Sequence, residues 1–87
     1  MFSVYILYSS AYQKTYCGYT SHLLRRIEEH NITATKGYTI RYRPWVLIHS
    51  EFYTKKEQAL TREKYYKTGV GREQIQKLIL QFNNQII

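Results

Sequence analysis

The segment Phe2 to Tyr8 constrains this chain most, because its aromatic and β-branched residues read as a strand and a second strand-like segment follows almost at once. Ser9 to Gln13 supplies the turn and Lys14 to Tyr19 the return, so the chain opens on a hairpin. Successive side chains of a strand point to opposite faces, and a slip of one residue in pairing turns every side chain of one partner over. Tyr5 and Tyr16 therefore share a face only where opposing residue numbers sum to an odd value. We expect that register, since phenols on opposite faces would dismantle any site built on both.

Thr20 or Ser21 can cap a helix that extends to about Asn31. Leu23, Leu24 and Ile27 form its apolar stripe; at about 100° per residue, Arg26 and His30 fall together on one flank, while Arg25, Glu28 and Glu29 point away. A loop from about Ile32 to Arg43 interleaves cations with rings in Lys36-Gly37-Tyr38 and Arg41-Tyr42-Arg43. Pro44 then restricts the chain, and Trp45 to Tyr53 reads as a third strand with the proline at its start. Thr54-Lys55-Lys56-Glu57 has the form of a capping box opening a second helix to about Thr68, where Gly69 is placed to stop it in the left-handed conformation. Ala59, Leu60 and Tyr66 define the inward stripe of that helix. Glu63 lies near the centre of the stripe, with Arg62, Lys64 and Lys67 on the wet side. Gly71 and Glu73 can open a third helix in which Ile75, Leu78, Ile79 and Phe82 recur at helical spacing, and Asn83 to Ile87 reads as a frayed end. The order is β-β-α-β-α-α, an α+β fold with a small antiparallel sheet, in one domain spanning residues 1–87.

A chain of 87 residues buries only about 60–65% of its unfolded surface, so every large apolar residue is needed by the core or by a site. Thirteen Lys and Arg against six acids give a formal charge of +7, which suits a polyanion. Cys17 is the sole cysteine and excludes an intrachain disulfide or a cysteine-rich zinc site, as expected for a reducing compartment. The apolar start lacks a basic leader and stops short of the ~20 residues that a membrane helix needs. We expect a soluble, cytoplasmic protein without a membrane partner.

All six acids are glutamates, so a hard cation held by a carboxylate would use Glu28, Glu29, Glu51, Glu57, Glu63 or Glu73. An inward Glu63 demands either a salt bridge or a metal, because a buried ionised carboxylate is costly without a partner. Lys36, Tyr38, Arg41 and Arg43 suit nucleic acid, with cations for phosphates and rings for bases, although a solvated loop has similar composition. Cys17 fits a small strand hydrophobe better than a reactive thiol.

Ser3-Val4-Tyr5, Tyr16-Cys17-Gly18, Arg26, His30, Lys36-Gly37-Tyr38-Thr39 with Arg43-Pro44-Trp45, and Glu57-Gln58-Ala59-Leu60-Thr61-Arg62-Glu63-Lys64 occur in order over nearly the whole chain. The set resembles the GIY-YIG nuclease superfamily, and in particular its small stand-alone bacterial members. The resemblance implies a three-stranded antiparallel sheet flanked by helices and metal-dependent hydrolysis of DNA, with Mg2+ or Mn2+ as cofactor. It implies that Tyr5 and Tyr16 orient or deprotonate the attacking water, that Arg26 stabilises the phosphate and that Glu63 holds the metal, with His30 at a position the family fills with His or Tyr. Ser3 replaces the family's first glycine and Cys17 its isoleucine, and Asn83 and Asn84 give no match to a C-terminal asparagine that some members use. An endonuclease for structured, branched or damaged DNA, in repair or recombination, is the expected function. A nucleic-acid-binding module without catalysis is the alternative, a domain for acidic protein partners the third reading, and targeting by a partner protein is compatible with so small a surface.

Overall fold

The computed structural model describes residues 1–86. Its elements are β1 (Phe2–Ser9), β2 (Lys14–Thr20), α1 (Leu23–Glu28) running into a π-helical turn (Glu29–Thr33), a 3-10 turn (Tyr38–Tyr42), β3 (Val46–Tyr53), α2 (Lys56–Tyr66) and α3 (Gly69–Ile86). The strands form an antiparallel sheet in the order β2-β1-β3. The expected α+β architecture is the one found.

A central strand paired on both edges and covered on both faces has no solvent side. Val4, Tyr5, Ile6 and Leu7 are accordingly at most 1% exposed, and each such aliphatic side chain contributes about 1.5–3 kcal/mol by leaving water. Alternation sorts them into two layers. Val4, Ile6 and Tyr8 pack with Ala59 and Tyr66 of α2 and with Ile75 and Ile79 of α3. Tyr5 and Leu7 pack with Trp45, and Tyr16, Leu23, Ile27, Tyr42 and Leu47 surround them. β1 and β2 oppose Tyr5 with Gly18 and Leu7 with Tyr16, the odd register, so both tyrosines stand on the α1 side of the sheet.

β3 carries a bulge. Ile6 opposes His49 but Leu7 opposes Leu47, which leaves Ile48 as an extra residue and reverses the facing of everything beyond it. Trp45 and Leu47 consequently belong to the α1 layer, whereas His49, Glu51 and Tyr53, of the same odd numbering, turn toward α2. There Glu51 accepts hydrogen bonds from Tyr53 Oη at 2.6 Å, Arg62 Nε at 2.8 Å, His49 Nε2 at 2.7 Å and the Tyr66 hydroxyl. The Arg62 guanidinium also lies 4.5 Å from the centre of the Tyr65 ring. Arg62 is thus drawn inward to clamp α2 onto β3, not left on the wet side as its charge suggests.

Burial pushes the Glu51 carboxyl up, but its bonds from Tyr53, Tyr66, Arg62 and His49 outweigh that and hold it down to about 2. A folded value below the ordinary 4.5 means that the contribution is full above about pH 5 and fades as the pH falls toward 2. A carboxyl held down that far contributes roughly 3 kcal/mol to the folded state at neutral pH. Glu51→Gln is expected to lower the urea midpoint at pH 7 and to flatten its dependence on pH between 5 and 2; an unchanged acid limb in the variant would refute this account.

Several boundaries differ from expectation for local reasons. Thr20 Oγ1 accepts from His22 N at 3.1 Å, but the regular helix starts only at Leu23 and widens to a π turn at Glu29. Leu24 is 82% exposed, so Leu23 and Ile27 alone carry the α1 stripe. Gln58 Oε1, not Glu57, reaches back to the first free amide of α2, accepting from Lys55 N at 3.2 Å. Gly69 is not left-handed and begins α3, because Thr68 caps that helix by accepting from Gly71 N at 3.1 Å. The expected third helix is present with Ile75, Leu78, Ile79 and Phe82 against the core, and it runs on to Ile86 in place of the expected frayed end; Ile87 lies outside the described residues.

Candidate active site

The α1 side of the sheet holds the chemistry. Tyr5 is 1% exposed and its hydroxyl lies 2.9 Å from His30 Nε2. His30, 4% exposed, lies through Nδ1 2.9 Å from Thr39 Oγ1. A neutral imidazole protonated on Nδ1 satisfies both contacts, donating to Thr39 and accepting from the Tyr5 hydroxyl. The Tyr16 ring stands 6.2 Å from that of Tyr5 and 4.8 Å from His30.

Three devices hold His30 in place. The π turn closes through Ala34 N donating to Glu29 O at 3.0 Å. Arg43 donates from Nε to His30 O at 2.6 Å and from Nη2 to Glu29 O at 3.1 Å and Ala34 O at 2.9 Å, so it ties together three carbonyls of the turn. Asn31 pairs its side-chain amide with the backbone of Trp45, accepting from N at 2.6 Å and donating to O at 3.0 Å. Arg43, expected among the nucleic-acid contacts, is therefore committed to the fold through its planar fork.

Arg26 stands at the mouth, 42% exposed, with Nη1 donating to Glu29 Oε1 at 3.2 Å. It lines a cavity of about 210 Å³ together with Tyr16, Glu29, His30, Lys36, Tyr38 and Thr39. Burial pushes the Tyr5 phenol up to about 12, with Arg26 opposing. Burial and the nearby Arg26 charge lower His30. The imidazole is thus kept neutral, with its Nε2 lone pair facing the protonated Tyr5 hydroxyl. Tyr38, 46% exposed, stacks on Tyr16 at 6.3 Å and meets Tyr42 at 5.0 Å, while Tyr12 meets Tyr42 at 5.5 Å. Lys14 and Arg41 flank the Tyr42 ring at 5.5 and 5.9 Å. Lys36, Tyr38 and Arg41 thus line an aromatic and cationic border to which Tyr12 and Lys14 also belong. Alternating rings and cations across the hairpin turn could have signalled those two.

Glu63 stands apart from this group. It sits on α2, acts electrostatically on Cys17 from the opposite face of β2, and does not line the cavity of Arg26 and His30. Its side chain is 16% exposed and its Oε1 accepts from Lys67 Nζ at 3.1 Å. Among the described residues no group of three or more His, Cys, Asp or Glu is placed to hold a metal. Lys67 thus supplies the salt-bridge partner that an inward Glu63 demands, and the carboxylate has the oxygen-donor chemistry that a hard divalent ion would use. Cys17 is half-buried and unpaired, and burial with the Glu63 charge pushes its thiol up to about 12, which suits an inert strand residue.

Residues 1–76 match the model of the GIY-YIG catalytic domain. The chain belongs to the GIY-YIG family. Among its relatives, a UPF0213 protein of Staphylococcus haemolyticus is 39% identical over 64 residues, covering 74% of this chain and 77% of that protein. A UPF0213 protein of Natronomonas pharaonis is 34% identical over 76 residues and 87% of each chain. The solution NMR structure of a UPF0213 protein from Bacillus halodurans superposes with a TM-score of 0.53 at 29% identity, covering 90% of this chain and 85% of that one. The GIY-YIG domain is a nuclease fold, and it places DNA as the substrate class to test first.

The glycine of the second GIY-YIG motif has a steric reason here. A Cβ at Gly18 would lie 2.6 Å from the Tyr5 hydroxyl oxygen and 2.8 Å from its Cζ. Tyr5 lies flat across its β2 partner and has no exposed route of escape. Gly18→Ala is expected to cost about 1–3 kcal/mol by overpacking and to break the Tyr5 to His30 contact, visible as a changed His30 imidazole NMR shift. An unmoved imidazole signal with wild-type stability would exclude this reading.

Proposed function

We propose that this GIY-YIG protein is a metal-dependent endonuclease hydrolysing DNA phosphodiester bonds, with structured, branched or damaged DNA as substrate and repair or recombination as its setting. The observation that carries the reading is the cationic cavity that Tyr16, Arg26 and His30 line together, with the buried Tyr5 hydroxyl bonded to His30 behind it. In-line displacement needs an activated water and neutralisation of charge on the phosphoryl oxygens. Tyr5, protonated at neutral pH and bonded to His30 Nε2, backs the cavity in which the attacking water would sit. Tyr16 positions that water from the neighbouring strand. Arg26 offers a half-exposed guanidinium to the phosphate. A divalent ion such as Mg2+ or Mn2+ on Glu63 would supply Lewis-acid stabilisation of the phosphoryl and leaving oxygens. Lys36, Tyr38 and Arg41 hold flanking nucleotides by charge and stacking.

Plasmid, flap, forked and single-stranded DNAs incubated with Mg2+ or Mn2+ test the proposal beside Glu63→Ala purified identically. Cutting that needs the metal and vanishes in the variant is the expected result. Salt-sensitive binding with no cutting by either protein would replace the enzyme with a non-catalytic binding module.

A further inference from the structure

A second concavity, of about 240 Å³, lies where the edge of β2 meets the α2–α3 junction, and Thr15, Tyr16, Lys67 and Arg72 line it. Tyr16 also lines the cavity of Arg26 and His30, so one side chain is shared by two concavities at a single sheet edge. Both contain cations. None of the ion pairs among the described residues involves the exposed Arg72. Lys67 is 58% exposed and rests on the more buried Glu63.

We propose that this second concavity binds a backbone phosphate of the nucleic acid held at the first, with Arg72 as the standing cation and Lys67 leaving Glu63 to join it when a divalent ion takes the carboxylate. The inference rests on the nuclease reading for the identity of its ligand, but its own observations are the shared Tyr16, the unpaired Arg72 and the engaged Lys67. A bare Glu63 beside the cavity would repel phosphate, and Lys67 cancels that charge. Two cations on one carboxylate repel each other, so arrival of the ion frees the ammonium on its flexible stem. Thr15 adds a hydroxyl donor. Metal and phosphate then bind cooperatively and, by linkage, each strengthens the other equally.

Binding of a fluorescent forked DNA would be titrated with monovalent salt, with and without Mn2+, in an Arg26→Ala background that slows cutting beyond the time of the measurement. Each phosphate that the protein no longer neutralises reduces the slope of log affinity against log salt by about 0.9 on duplex. Arg72→Met is expected to show that reduction in both conditions, and Lys67→Met only with Mn2+ present. Without DNA, Lys67→Met should bind Mn2+ several-fold more tightly by electron paramagnetic resonance, and Glu63→Gln should lose that binding. Unchanged slopes in both variants overturn the phosphate site, and they do so even if the wild-type protein cuts DNA. A Lys67→Met reduction equal with and without Mn2+ overturns the exchange. Reduced slopes in a protein that never cuts would uphold the site while removing the nuclease.

Discussion

Arg26→Ala is expected to lower the cleavage rate by about 10²–10³ while leaving the melting temperature within a degree or two of wild type. The rate loss is the usual cost of removing one preorganised charge at a developing oxyanion. The small effect on stability follows from exposure: Arg26 makes one ion pair, to Glu29 at 3.2 Å, with both side chains more than a third exposed, and such pairs contribute about 0–1 kcal/mol. Arg26→Lys keeps the charge but loses the planar fork and should recover only part of the rate. DNA affinity should fall much less than the rate, since Lys14, Lys36 and Arg41 remain. A variant that loses affinity and rate in equal proportion would make Arg26 a binding residue and remove it from the chemical step.

The largest effect on stability is expected from Gly71→Ala. A Cβ there would lie 2.0 Å from the Tyr65 carbonyl oxygen and 2.5 Å from Tyr66 Cα, both backbone atoms at the end of α2. No rotamer change relieves such a clash, so α3 must move away from α2 and withdraw Ile75 and Ile79 from the core. The cost should reach about 3 kcal/mol or more, equivalent to a fall in melting temperature of about 12 °C or more for a domain of this size. Helix propensity alone predicts the reverse, since alanine is favoured over glycine by about 1 kcal/mol inside a helix. The sign of the change therefore decides the matter; a more stable variant would mean that the helices do not approach closely.

The hairpin is legible in the sequence from its strand-forming residues and turn, and its odd register, expected because a site using both Tyr5 and Tyr16 requires it, is the one found. The packing face of α3 is legible too, where apolar residues recur without interruption. Charge and apolarity mislead as guides to exposure. Leu24 is exposed despite its place in a stripe, because nothing among the described residues covers that part of α1. Arg62 is turned inward because its partner, Glu51, lies on the α2 side beyond the bulge at Ile48, and a single unpaired residue leaves no mark on the local pattern. His30 falls correctly beside Arg26 on a helical wheel, yet its burial depends on Thr39 and Tyr5, which are remote in sequence. Gly69 and Gly71 look equivalent along the chain, and only the three-dimensional approach of two helices separates them.

That bulge makes β3 two half-strands in opposite phase, which decouples the protein's evolution into two compartments. Changes on the Trp45 and Leu47 half are felt by the tyrosines and His30, whereas those on the His49 to Tyr53 half are felt by the clamp on α2. Deleting Ile48 would make the strand regular and leave both pairings intact, Leu47 with Leu7 and His49 with Ile6, so Glu51 would still face α2. Descendants of such a chain can retune the floor of the site or the seat of Glu63 separately.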